Sequence, residues 1–438
     1  LLGGATGAGG LPKFDPTNPY GNGYEQCQLG GGISSHIGFS QSSGNSHSTG
    51  YRAAMTWGEL GDRQLTVGSD FTLVMQQYQS WDALIGGLAA GYVVLDPNGP
   101  QFGLPTSHNA DTGVFADYVV PFEVWTLKSG GRFDWVATGA ETVGVGSAAE
   151  YTTGSDPTQI TQSFLAGSAY LSGERALNDE WKFLMGAGVS RRPPTLSDLY
   201  ADAPFLSITQ LGGIFVQRGN TGLVPETAKQ LDTGLAARYD RFRGSTHVYC
   251  SWVDDFITFT PAPVDVDPLN PSNGRRVFDT VNRNAFLWGA EGYGEYNLTD
   301  SMILVGSVGY MYGQDLVVHQ PLWGIYPLNT RLALRFVEPT TDPWWGVEFG
   351  TRIVASQTRV ADAGSLTVAE NATPGFTVTD IRGFYRLSQV WALVSGVENV
   401  GNRFYQEHLD SRVDLNYNAA GGVYRPGTNF YLTAEARY

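Results

Sequence analysis

From residue 429 the chain reads NFYLTAEARY. Phe430, Leu432, Ala434, Ala436 and Tyr438 fall on one side of an extended backbone; Asn429, Tyr431, Thr433, Glu435 and Arg437 fall on the other. A period of two is that of a strand with one apolar and one polar face. The same alternation runs through 63–75, 112–120, 126–135, 230–239, 245–259, 285–298, 302–312, 328–337, 344–354, 377–387 and 390–399. No comparable stretch carries a 3.6-residue period. The pattern predicts an all-β chain.

Many of these segments run about 9–15 residues. That exceeds the usual length of soluble strands and suffices for a tilted strand to cross a bilayer. The connections carry a second signal. Short ones fall near 57–63, 121–125, 173–179, 239–244, 297–301, 338–343 and 387–390. Long ones fall near 77–111, 137–159, 190–228, 260–283, 313–327, 357–376 and 399–428. Strict alternation of short and long connections is the sidedness of a transmembrane, antiparallel, up-and-down β-barrel, with tight turns at one membrane face and long loops at the other. About sixteen strands are expected, two of them near 30–57.

The aromatics fit this picture. Tyr118, Phe122, Trp125, Trp135, Trp252, Tyr296, Tyr312, Trp344, Trp345 and Trp391 stand at strand ends, where interfacial girdles form. Ordinary β-propensity is the alternative reading. Mid-strand charges at Arg132, Asp134, Arg238, Glu291, Glu295, Arg331, Arg335, Glu348, Arg352, Asp380 and Arg382 require a polar lumen, since a dry core would tolerate few of them.

Composition narrows the partners. With 27 Lys+Arg against 42 Asp+Glu, the net charge of −15 excludes a phosphate-binding nucleic-acid protein. An apolar share of 42% with 22 Tyr, 22 Phe and 11 Trp excludes disorder. No run of 18 apolar residues offers a membrane-spanning helix. Cys27 and Cys250 fit no metal spacing or disulfide framework. The opening LLGGATGAGG has no basic n-region, so it is no intact signal peptide. Residues 1–32 are expected as a Gly- and Pro-rich loop or ragged end, and 33–438 as the barrel portion.

Four stretches carry a likeness to a known family. They are SRRPPTLSDLYA (190–201), GNTGLVPETAKQLDTGL (219–235), VENVGNRFYQEH (397–408) and a last strand ending in the aromatic Tyr438. In this order and spacing the chain resembles the TonB-dependent outer-membrane receptors from about 110 onward. The residues also have a local reading: Pro193 and Pro194 interrupt strand pairing, and Asn220-Thr221-Gly222 and Gly401-Asn402 are turn chemistry.

The resemblance implies a bacterial outer-membrane location and a barrel of 22 strands around a plug. This chain would be the C-terminal barrel portion, without the plug. It implies uptake of a scarce nutrient, a ferric siderophore or another metal complex, driven by the TonB–ExbB–ExbD complex acting through the plug. It calls for no cofactor. His319, Trp323, His408 and Arg425, in two late long loops, are the candidate ligand-binding residues. A passive porin is the alternative from another class, and a copper receptor the alternative within the family.

Catalytic motifs are lacking: there is no HExxH, Walker A or GxSxG pattern, so no enzyme is expected. Of the six histidines, His36 and His47 share one polar segment, SSHIGFSQSSGNSHS, where imidazoles would suit copper, zinc or nickel. Soft copper sites favour Met, and Met55, Met75, Met185, Met302 and Met311 all lie in strand-like contexts. Asp265 and Asp267 offer oxygen ligands to a divalent cation, although a solvated loop accounts for them as well.

Overall fold

The computed structural model describes residues 37–59, 61–86, 92–95, 101–141, 160–204, 215–261, 276–361, 370, 372–408, 410 and 424–436. The 1–32 segment, His36, Asp265, Asp267 and Tyr438 lie outside these. The strands are β1 (Ile37–Gly58), β2 (Gln64–Gly86), β3 (Tyr92–Leu95), β4 (Gln101–Phe122), β5 (Trp125–Ala140), β6 (Thr161–Ala176), β7 (Trp181–Arg192), β8 (Asp202–Pro204) and β9 (Phe215–Arg218). They continue with β10 (Glu226–Arg238), β11 (Phe242–Pro261), β12 (Arg276–Asn297), β13 (Met302–Asp315), β14 (Asn329–Val337), β15 (Trp345–Val354), β16 (Phe376–Arg386), β17 (Trp391–Glu398) and β18 (Asn429–Ala436). Among the described residues one short helix, α1 (Leu196–Tyr200), follows β7.

Fifteen strands form a single antiparallel meander. It runs β1, β2, β4, β5, β6, β7, then β10 to β18 in chain order. β3 is an annex on β2, and β8 and β9 form a small pair whose β9 lies parallel to β12. The predicted alternation of connections holds throughout the meander. At the tight end, the Asn178 and Ser388 side chains each accept two backbone N–H groups, closing the β6–β7 and β16–β17 turns.

The first strand differs from expectation. Two strands were expected near 30–57, yet the ladder with β2 is unbroken from Ile37↔Ile85 to Gly58↔Gln64. One 22-residue strand therefore stands there. β2 and β4 are of similar length, at 23 and 22 residues, so this part of the sheet rises past the bilayer.

Paired residues share a face, so one row can be followed across the sheet. Arg132 pairs with Phe115 and Ser168, Ser168 with Ser190, Ser190 with Ala228, Ala228 with Val253, Val253 with Ala285, and Ala285 with Asp315. This is the lumen face, and all the mid-strand charges named above lie on it. Arg132 bridges Asp70 and Asp134 at 2.7–2.9 Å. Glu348 takes Arg335 at 2.8 Å and Arg331 at 2.5 Å, and Arg335 stands 3.7 Å from Glu295, which also holds Arg243.

The opposite face carries Val114, Phe133, Leu165, Leu171, Met185, Leu231, Val248, Leu304, Leu332, Phe349 and Leu432, all exposed on the sheet. Among the described outward positions, charge occurs only at the margins. Arg175 lies over the Trp125 ring at 5.8 Å beside a tight turn. Arg191, Lys229 and Asp254 lie toward the long loops. A face cleared of charge between two aromatic rims is what hydrocarbon demands.

β1 and β18 each pair on one side only among the described residues. Because fifteen is odd, these two strands run the same way, and joining them directly would need a parallel ladder.

Candidate ligand-binding vestibule

The described parts of several long connections lie against the sheet. They fold over its lumen face at the loop end, where inward wall residues turn apolar to receive them. α1 puts Leu196, Leu199 and Tyr200 against Leu104, Val136 and Phe164, with Leu223 joining the same cluster. Thr195 starts this helix with a reciprocal capping box to Asp198, and Tyr200 Oη meets Thr138 Oγ1 at 2.8 Å. The β13–β14 loop puts Leu322 and Ile325 against Val253 and Ala285. The β17–β18 loop lays Tyr405 on Phe376 with ring centroids 4.4 Å apart.

The motif stretches turn out to be two sides of one joint. Arg192 donates to Glu226 Oε1 at 2.7 Å, and Glu226 Oε2 accepts the Ile257 N–H at 3.1 Å beside the β11 bulge. Gly219 N donates to Ala201 O at 2.6 Å, and Asn220 N to Asp198 O at 2.9 Å. Gly219 is glycine for a steric reason, since a Cβ there would come within 2.6 Å of the Leu199 carbonyl. Asn220 also reaches Thr280 O at 3.0 Å, tying the joint to β12.

The third stretch closes the crown. Asn399, at φ 51°, accepts from Arg403 N at 2.8 Å and donates to Arg403 O and Pro426 O. It thereby fixes both ends of the β17–β18 loop. Farther along, Glu407 takes both guanidinium nitrogens of Arg352 at 2.6 and 2.8 Å and the Tyr326 hydroxyl. The β13–β14 loop, the β15 end and the β17–β18 loop meet there. Burial pushes the Tyr326 hydroxyl up to about 12, helped by the Glu407 carboxylate it donates to. Burial works to raise Glu407 too, but the hydrogen bonds from Arg352 and Tyr326 outweigh it and hold the carboxyl below its ordinary range. The site is thus a fixed carboxylate–guanidinium–phenol knot, suited to holding loops in register.

The four residues singled out from the sequence have different places. His408 is fully enclosed: Nδ1 meets Thr373 Oγ1 and Nε2 meets Glu370 Oε1, each at 3.0 Å. Glu370 Oε1 also accepts the Gly324 N–H at 3.0 Å, so His408 and the Trp323–Gly324 segment are joined through one carboxylate. The Trp323 indole N–H is buried and has no partner among the described residues. Arg425 makes a two-pronged pair with Asp410 at 2.6 and 2.9 Å, and Asp410 Oδ2 accepts Glu407 N. His319 is exposed at φ 57° on the turn that Asp315 closes. Sequence reasoning passed over Tyr326, Glu370 and Glu407 as binding-region residues, although Glu407 stood inside the quoted VENVGNRFYQEH stretch. Among the described residues no group of three or more His, Cys, Asp or Glu could hold a metal ion, and no helix is long and apolar enough to cross a membrane, which says nothing of strands.

An apolar outer face, a charged lumen, tight turns at one end and folded-in loops at the other define an outer-membrane barrel of the receptor type. The profile described as "TonB dependent receptor-like, beta-barrel" matches residues 8–400. The chain belongs to the TonB-dependent receptor family, and its place is the bacterial outer membrane. No curated protein matches it. Among solved structures it is similar to the "Copper transporter OprC" at 22% identity and TM-score 0.70, over 91% of this chain and 57% of that one. It is similar to the FrpB iron transporter of Neisseria meningitidis at 14% identity and TM-score 0.60, over 90% and 56%. The ferric citrate transporter FecA shares 14% identity at TM-score 0.59, over 92% and 55%. The chain thus spans little more than half the length of these proteins, and at such identities the likeness shows the fold.

Proposed function

We propose that the protein serves energised uptake of a metal complex across the outer membrane, with a ferric siderophore as the first candidate. The observation that carries this reading is the crown, where the described segments of several long loops are folded over the lumen and locked to each other and to the wall. A passive channel has no need of a fixed, multi-loop binding surface. The ligand would be received by exposed crown residues, His319 and Arg425 among them. Trp323 and His408 would set the shape of the crown from beneath. Transport would need the TonB–ExbB–ExbD complex, reached through a plug.

Copper is the second reading, and the similarity to OprC at TM-score 0.70 favours it. The test is accumulation of radiolabelled ferric chelates and of copper by cells expressing the full-length protein, with and without TonB. TonB-dependent accumulation of an iron chelate supports the first reading, and of copper the second. Accumulation unchanged by loss of TonB, with a large constant conductance in planar bilayers, would establish a porin instead.

A further inference from the structure

The histidine segment noted in the sequence acquires partners in the sheet. His47 on β1 pairs directly with Met75 on β2, and Met75 pairs directly with His108 on β4. The three residues therefore form one cross-strand row on the outward face, with the thioether between two imidazoles. All three are exposed, Met75 at 48%. The next residue of the row is Gly139, which leaves the space that the His108 ring now occupies, and Thr161 follows it on β6.

We propose that this row is a binding site for a soft monovalent metal ion, of the copper(I) or silver(I) class. The spacing suits one ion. Two interstrand steps put the histidine backbones about 9–10 Å apart. From each side an imidazole and a metal–nitrogen bond of about 2 Å cover half that gap, bringing the ion above the Met75 sulfur once His108 turns from Gly139.

The donor chemistry selects the ion. Two neutral imidazoles and a thioether bring no charge, and thioethers favour soft metals. The outward neighbours on β1, β2 and β4 are Thr49, Leu73 and Ala110 on the membrane side and Asn45, Gln77 and Thr106 on the other, all uncharged. A carboxylate enters only at Glu141, one strand over and opposite Thr106, so a dication would have a single carboxylate to neutralise it. Two positions farther down lies the aromatic rim of Tyr51, Phe71 and Trp135, with Tyr51 and Phe71 stacked at 6.5 Å. Near such an apolar margin a single charge is far cheaper to hold than a double one. The site faces away from the lumen, so it is separate from the uptake path proposed above.

Silver(I) binding to the full-length protein in detergent tests this, with Cys27 and Cys250 replaced by Ser to remove the thiols. The expected result is one tightly retained silver per chain by native mass spectrometry, outcompeting zinc. Met75→Leu, an exposed and nearly isosteric change, should weaken binding by no less than the roughly 10–100-fold that loss of an outer partner costs a metal site. His47→Ala with His108→Ala should abolish it. Chelate or copper uptake by these variants should be unchanged, which keeps this test apart from that of the uptake reading. Silver retained equally by Met75→Leu and the double histidine variant, or no retained silver in the parent, would overturn the proposal.

Discussion

The wall of the sheet and the crown above it are built by different rules. In the wall, a residue's surroundings follow from its parity along the strand. An even residue of β5 faces the lumen and an odd one faces lipid, and chemistry obeys that division down to single positions. In the crown, each contact is particular: one carboxylate, Glu370, serves His408 and Gly324, and another, Glu407, serves Arg352 and Tyr326. The wall tolerates exchange within a class of residues, whereas the crown depends on named atoms.

The largest expected effect breaks the wall's rule. Leu171 is outward on β6, midway between the rims, and 58% exposed on the sheet. Leu171→Arg should cost about 2–4 kcal/mol, the price of a cation at the bilayer midplane. Its neighbour Ser172 faces inward, so Ser172→Arg should cost far less. Urea titration of folding into lipid vesicles reads both. Equal costs for the two would mean that the faces are not lipid and lumen.

In the crown the first target is the knot. Glu407→Leu leaves Arg352 and Tyr326 without their common acceptor and should loosen the crown by about 1–3 kcal/mol, the scale of losing charge-assisted hydrogen bonds. Arg352 keeps partial access to water, which holds the cost below that of a fully buried charge. Hydrogen exchange should rise in 324–328 and 403–408 while the strand cores stay protected. Exchange unchanged in both loops would show that Glu407 holds neither.

This contrast also explains what could be seen beforehand. A period of two is a local signal, so face, strand length and sidedness were legible from the residues alone. Every mid-strand charge named from the sequence lies on the lumen face. The unbroken β1 was hidden because serine, asparagine and glycine favour turns in isolation, while its ladder is set by β2. The crown was largely illegible. That His408 would be enclosed by Glu370 and Thr373 depends on a meeting of residues 35 and 38 apart in the chain. No spacing rule announces such a meeting. The cross-strand row of His47, Met75 and His108 was hidden for the same reason.

The knot also predicts how the crown responds to pH. Glu407 titrates below its ordinary 4.5 in the folded protein, so its contribution is complete above 4.5 and is lost as pH falls through the depressed folded value. Tyr326 has its ordinary value of 10.0 pushed up to about 12, so its contribution is complete below 10.0 and is lost as pH rises through about 12. Protease resistance of the loops should therefore be flat from 4.5 to 10.0 and fall at both ends. A steep change near neutrality would mean that another group governs the crown.

The smallest expected effect separates the two limbs of that profile. Tyr326→Phe keeps the ring and removes only the hydroxyl, which donates to Glu407 and accepts from Arg352. The two-pronged Arg352–Glu407 pair survives, so the loss should be about 0.5–1.5 kcal/mol, that of an ordinary hydrogen bond. The acid limb should persist, because Glu407 still has Arg352 to hold its carboxyl low. The part of the alkaline limb that lies between 10.0 and about 12 should vanish, because the group that titrates there is gone. Proteolysis across pH in the parent and the variant reads both limbs at once. If the Phe variant kept its full alkaline limb, the knot would owe nothing to the phenol. The crown would then rest on the ion pair alone, and its rule would be closer to that of the lumen wall.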